Sequence, residues 1–181
     1  QYNVAIGSAA GTALTTGVRN TLVGGFSGDA LTDADFNTAM GYVSLGADTL
    51  GSKSTAIGWA TLATQNFTSA TDSFNTAIGY QTGLNLTTGI MNTLIGALAG
   101  DALTTGQQNT VLGYSALTTD TLGIGSVAIG RAALESQNFT TATSSLNTAV
   151  GYHAGLSVTT GLQNTLIGGL AGDALTDANF N

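Results

Sequence analysis

The chain has 181 residues, of which 26 are glycine, none is proline or cysteine, and only 7% are charged, so disulfides and thiolate chemistry are excluded. A hydrophobic content of 43% is enough to drive folding, because disorder needs low hydrophobicity and high net charge. The net charge of −7, with Arg19, Lys53 and Arg131 the only basic side chains, excludes a phosphate backbone and an anionic membrane surface as partners. No apolar run approaches the roughly 20 residues of a membrane span. The opening Gln1-Tyr2-Asn3 lacks the basic and apolar regions of a signal peptide, and the sequence reads as a segment of a longer chain.

In chain order the first element is Asn3-Val4-Ala5-Ile6-Gly7, an alternating apolar stretch closed by glycine, which predicts a short strand ending at a turn. The same Asn/Ser-x-x-apolar-Gly core starts again at positions 20, 37, 54, 75, 92, 109, 126, 147 and 164. The steps are 17, 17, 17 and 21 residues, and the cycle repeats every 72 without insertion or deletion. The string from Asn20 (NTLVGGFSGDALTD) returns at Asn92 and again at Asn164. Residues 1–181 therefore form one repeat domain whose only internal divisions are coil boundaries.

A second apolar cluster follows each core, as Gly28 to Leu31, Leu45 to Leu50 or Leu62 to Phe67, and predicts a return strand. Seventeen residues do not hold two strands and a helix, and no stretch keeps a 3.6-residue apolar period. The predicted fold is an all-β parallel solenoid, with coils stacked about 4.8 Å apart into a rod of roughly 48 Å.

Four columns run along such a rod. Asn3, Asn20, Asn37, Asn75, Asn92, Asn109, Asn147 and Asn164 lead the cores, with Ser54 and Ser126 in the fourth coil type, and predict an amide ladder. The fourth core position is always large and apolar, from Ile6 to Ile167, and is read as the inward column. Threonine at the second position, as in Thr21, Thr38 and Thr76, shares that face and is read as inward too. The third position, from Ala5 to Leu166, then points away from the coil interior, and an apolar face there calls for a cover, most economically copies of the same chain.

The NVAIG, NTAIG and SVAIG cores at Asn3, Asn75 and Ser126 resemble the head repeats of trimeric autotransporter adhesins, whose parallel β-rolls carry a similar signature. Similar repeats occur in phage tail-fibre proteins. The resemblance covers nearly the whole chain and implies a β-roll in a homotrimeric fibre, extended where further repeats follow. It departs from the adhesin pattern in its longer coil and in threonine replacing valine at the second position.

Chemistry-bearing residues are sparse. His153 is the only histidine and stands where other coils carry Ala9 and Gln81, so it is read as a surface turn residue; no catalytic, metal or cofactor site is expected. Asp29, Asp33 and Asp35, with Asp173 and Asp177, offer oxygens to calcium but fit no calcium-loop motif, and an acidic solvated face is the plainer reading. Tyr42, Trp59, Tyr80, Tyr114 and Tyr152 follow the corner glycine and offer rings for glycan contact, or else cover the edge of the roll. The four extra residues of the fourth coil type, near Thr68 to Phe74 and Thr140 to Leu146, predict bulges where a receptor would dock. The functional expectation is a structural, non-enzymatic segment of an extracellular trimeric fibre, on a cell surface or a virion, serving adhesion or projection and contacting a surface glycan or protein receptor. The alternatives are a glycan-binding solenoid, an ice-binding solenoid carried by the threonine column, and a phage tail-fibre shaft.

Overall fold

Three residues of alternating, largely β-branched character suffice for one strand per core, because each strand is held by identical neighbours above and below it. The computed structural model describes residues 2–181. Its main sheet has ten parallel strands: β1 (Val4–Ile6), β2 (Thr21–Val23), β3 (Thr38–Met40), β5 (Thr55–Ile57), β7 (Thr76–Ile78), β8 (Thr93–Ile95), β9 (Thr110–Leu112), β11 (Val127–Ile129), β13 (Thr148–Val150) and β14 (Thr165–Ile167). They pair in chain order and in register, Val4 against Thr21, Thr21 against Thr38 and Thr55 against Thr76. The molecule is an all-β parallel solenoid of about ten coils, and the described residues form no helix.

The return side differs from the expected strand. Residues 28–30 and 62–64 are turns and 45–47 form no strand, and the only additional strands among the described residues are two-residue pairs, β4 (Gly51–Ser52) with β6 (Thr71–Asp72) and β10 (Gly123–Ile124) with β12 (Thr143–Ser144). The cause is backbone conformation: Leu45 and Leu62 stand at φ 53° and 50°, in the left-handed region that no strand accommodates. At the strand-ending corner the backbones of adjacent coils nearly touch. A Cβ on Gly24 would lie 2.4 Å from the carbonyl oxygen of Gly41, so only glycine fits that column.

The faces of the main sheet are the reverse of the sequence expectation. The third core position is the inward one, with Leu22, Ala39, Ala56, Ala77, Leu94, Val111, Ala128 and Ala149 all fully buried. The second and fourth positions project outward, and none of them is buried. The interior is too narrow for a column of isoleucines, because the return side also sends in a large aliphatic residue: Leu31, Leu45, Leu62, Leu86, Leu103, Leu117, Leu134 and Val158 are all fully buried. Small residues on the strand leave room for those leucines.

The same volume argument applies within three of the four coil types of the 72-residue cycle; in the first, Ala77 and Ala149 go with Gly83 and Gly155, where leucines of the neighbouring coils, Leu62 and Leu94 or Leu134 and Leu166, take the space. Where the strand contributes Leu22 or Leu94, the left-handed return position is Gly28 or Gly100, and where it contributes Ala39 or Ala56 that position is Leu45 or Leu62. Three residues further on, the Gly coils carry Leu31 or Leu103, whereas the Leu coils carry Asp48 and Gln65, or Asp120 and Gln137. Two coils with apolar centres therefore alternate with two whose centres are partly polar.

Candidate functional site

The leading asparagines, all but Asn3 fully buried, are linked along the axis. The backbone N–H of Asn20 donates to the side-chain oxygen of Asn3 (2.8 Å), that of Asn37 to Asn20 (2.9 Å) and that of Ser54 to Asn37 (2.8 Å). Each amide nitrogen meanwhile donates across its own coil, Asn20 to the Ala34 carbonyl (2.7 Å) and Asn37 to the Gly51 carbonyl (2.9 Å). Asn75, Asn92, Asn109, Asn147 and Asn164 repeat the cross-coil bond, to Gly89, Gly106, Gly123, Gly161 and Ala178.

Serine at positions 54 and 126 has no amide to pass on, and a group absent from the sequence reading bridges the gap. Gln65 donates through Nε2 to Ser54 Oγ (2.8 Å) and to Asp48 Oδ2 (2.6 Å), while its Oε1 accepts from the Asn75 amide (2.9 Å). The other oxygen of Asp48 accepts the N–H groups of Gly51 and Phe67, both at 3.0 Å. Asp120, Gln137, Ser126 and Asn147 repeat this network 72 residues later. Burial raises the pKa of both carboxyl groups above 3.8, and the hydrogen bonds only partly offset it. The signal was in the sequence: these are the two places where Asp is followed by Gln one coil later. Phe67 and Phe139, buried beneath the bulges, are anchored by these carboxylates through their N–H groups.

The aromatic column forms two runs. Tyr42 stacks on Trp59 (centroids 6.4 Å apart) and Trp59 on Tyr80 (5.1 Å), with planes within 15° of parallel, so most ring faces in this run are occupied by other rings. Beyond Ala97 the column resumes with Arg131 over both Tyr114 and Tyr152, at 6.0 and 5.6 Å. His153 stacks on Tyr152 at 3.8 Å and accepts from the Arg131 guanidinium at 2.5 Å, in a surface cluster with no carboxylate in it. Asp33 accepts from the Thr16 hydroxyl and Asp35 from the Val18 N–H, and among the described residues no three acidic or histidine side chains converge as metal ligands.

The largest uncommitted feature is the outward face of the ten-stranded sheet. Thr21, Thr38, Thr55, Thr76, Thr93, Thr110, Thr148 and Thr165 form one column. The other holds the large aliphatics, with Met40 41% and Leu112 47% exposed. Neither column contains a charged residue. Phe36, Phe74, Met91 and Leu146 line one border and the tyrosines and Trp59 the other, all exposed. Three residues at about 3.3 Å each, with their flanking columns, and ten strands at about 4.8 Å make a face on the order of 700 Å². The aliphatic column runs uninterrupted along this face, while the threonine column beside it and Arg19, Lys53 and Arg131 in the borders are polar; an exposed apolar strip of this length marks an interaction site.

No family model, curated protein or solved structure matches the chain. The functional reading therefore rests on the surface itself.

Proposed function

We propose that this chain is a structural segment of an extracellular fibre in which identical copies, three to an assembly, pack through the outward face of the ten-stranded sheet. The observation that carries the proposal is that face: its two outward columns hold no charge, one aliphatic and the other mainly threonine, and are continuous over all ten strands. Its area is close to the roughly 800 Å² that each partner contributes to a stable interface. The number three, and the extracellular setting on a cell or a virion, come from the likeness of the cores to adhesin-head and tail-fibre repeats. The role is mechanical: stacked coils project or present a surface, and no reaction is assigned to it. The expectation that one sheet face needs a cover is kept, with the second and fourth positions taking the place of the third.

Sedimentation velocity of the purified chain tests this. A species of about three times 18.0 kDa is expected, and Ile78→Asp, which places a charge in the middle of the face, should dissociate it without altering the circular dichroism. A stable monomer at micromolar concentration overturns the proposal.

One observation favours a second reading. The threonine column, expected inside, lies outside, spaced one per coil at about 4.8 Å beside aliphatic side chains, the kind of regular hydroxyl and methyl array that suits an ice surface. Thermal hysteresis from a monomeric chain would select this reading, whereas a trimer that buries the face should show none.

A further inference from the structure

Beside the aromatic column, at the Tyr42 border of the sheet face, an open groove of about 420 Å³ occurs in the first 72-residue cycle. Phe26 and Tyr42 form one wall, with rings edge to face at 5.9 Å, and Gly46, Ala47 and Ala63 form a floor of small residues. Asp29 lines the same groove, and its carboxylate has no hydrogen-bond partner among the described residues, whereas Asp33 and Asp35 nearby are both engaged. Phe26 is 42% exposed and Tyr42 50%.

The second cycle provides an internal control. There the equivalents of Gly46, Ala47 and Ala63 are Thr118, Thr119 and Glu135, and Phe26 becomes Leu98. The equivalent of Asp29 is Asp101, which accepts a hydrogen bond from the Thr118 hydroxyl. Larger side chains stand at the floor positions, and one of them engages the acid. The groove with its free carboxylate is thus a departure of the first cycle from the repeat, made by small residues at its floor.

We propose that this groove binds a hexopyranoside ring. A carboxylate accepts hydrogen bonds from vicinal hydroxyls, at both oxygens and with charge assistance. The C–H face of a pyranose carries the partial positive charge that the negative face of the Phe26 ring attracts. A volume in the range of small-ligand sites accommodates one such ring, and the open mouth leaves room for a chain on either side. An organic cation would call for rings enclosing it from several sides, and here they stand on one wall only. The groove shares Tyr42 with the border of the sheet face, whereas Phe26, Asp29, Gly46, Ala47 and Ala63 lie outside the two outward columns.

Saturation-transfer NMR on the intact chain, with the methyl glycosides of glucose, galactose and N-acetylglucosamine as probes, tests the assignment. Transfer to the ring protons of at least one glycoside is expected, with a dissociation constant on the order of 1 mM. Asp29→Asn, which keeps the shape and removes the charge, should weaken it about tenfold. Val43→Ser with Gly46→Thr reproduces Ser115 and Thr118 of the second cycle, where Ser115 keeps the left-handed φ of Val43 (52° and 56°), so the fold should be retained and binding lost. No transfer to any of the three glycosides overturns the proposal, as does undiminished binding by the double variant. Binding of tetramethylammonium in place of the glycosides also overturns it and reassigns the groove to cations.

Discussion

Leu22 occupies the space that a side chain at Gly28 would need: a Cβ built there falls 2.8 Å from Leu22 Cδ2 and 2.8 Å from Leu31 Cδ1. Conformation alone does not demand the glycine, because Leu45 and Leu62 take the equivalent place at φ 53° and 50°, close to the 54° of Gly28. Space does. Gly28→Ala should therefore destabilise the chain by about 1–3 kcal/mol through overpacking. Adding Leu22→Ala should cost less than the two single changes summed, because it opens the space the new methyl needs. Urea unfolding of the three variants measures the coupling, and strict additivity would contradict the packing account.

The buried carboxylates give the fold a pH dependence of definite sign. Burial raises the folded-state pKa of Asp48 and Asp120 above the 3.8 expected when unfolded. Between those values the folded chain holds more protons than the unfolded one, so the stability contribution of these groups rises as pH falls through the folded pKa and levels off below 3.8. Urea midpoints should increase from pH 7 towards pH 4. The slope should flatten in Asp48→Asn with Asp120→Asn, whatever the absolute stability of that variant, and a wild-type midpoint that falls on acidification would contradict the assignment.

Gln65 is the junction between a broken asparagine ladder and a buried acid. Gln65→Ala removes the partner of Asp48 Oδ2 and one partner each of Ser54 and Asn75, all of them buried. A loss of about 1–3 kcal/mol for each buried group left unsatisfied is expected. Gln65→Leu, which restores the type found at Leu86, should still be destabilising because Asp48 faces it. Hydrogen exchange would place the effect at the Phe67 amide, whose acceptor is the same carboxylate.

Trp59 is the only tryptophan and lies between Tyr42 and Tyr80, so its fluorescence reports on the stacked run. Tyr80→Ala should shift the emission to longer wavelength and cost about 0.5–1.5 kcal/mol beyond the area lost. Tyr152→Ala, in the separate run beyond Ala97, should leave the emission unchanged. A shift in the second variant would mean the two runs are coupled.

Much of the architecture was legible because it is periodic. A glycine whose Cβ would strike the next backbone recurs at the place the repeat predicts, and an asparagine whose amide spans its own coil marks every strand start except those led by Ser54 and Ser126. The return strand was misread because an apolar cluster such as Leu45 to Leu50 looks alike in a strand and in a chain of left-handed turns. Only φ separates them, and leucine rarely takes a positive value. The Asp48 and Gln65 network was visible as a pair 17 residues apart, but its meaning depended on both side chains turning inward.

The sequence by itself determined the coil, its number and its four-part cycle, because stacking identical short strands leaves no other way to satisfy a repeat this regular. Tertiary structure alone decided which side of each strand is the inside. Both faces are apolar, and alternation says only that they differ. The choice falls to volume: the return side fills the coil with leucines, so the strand turns its small third residue inward and its threonines and isoleucines out. That inversion moves the surface available to a partner from the third core position to the second and fourth.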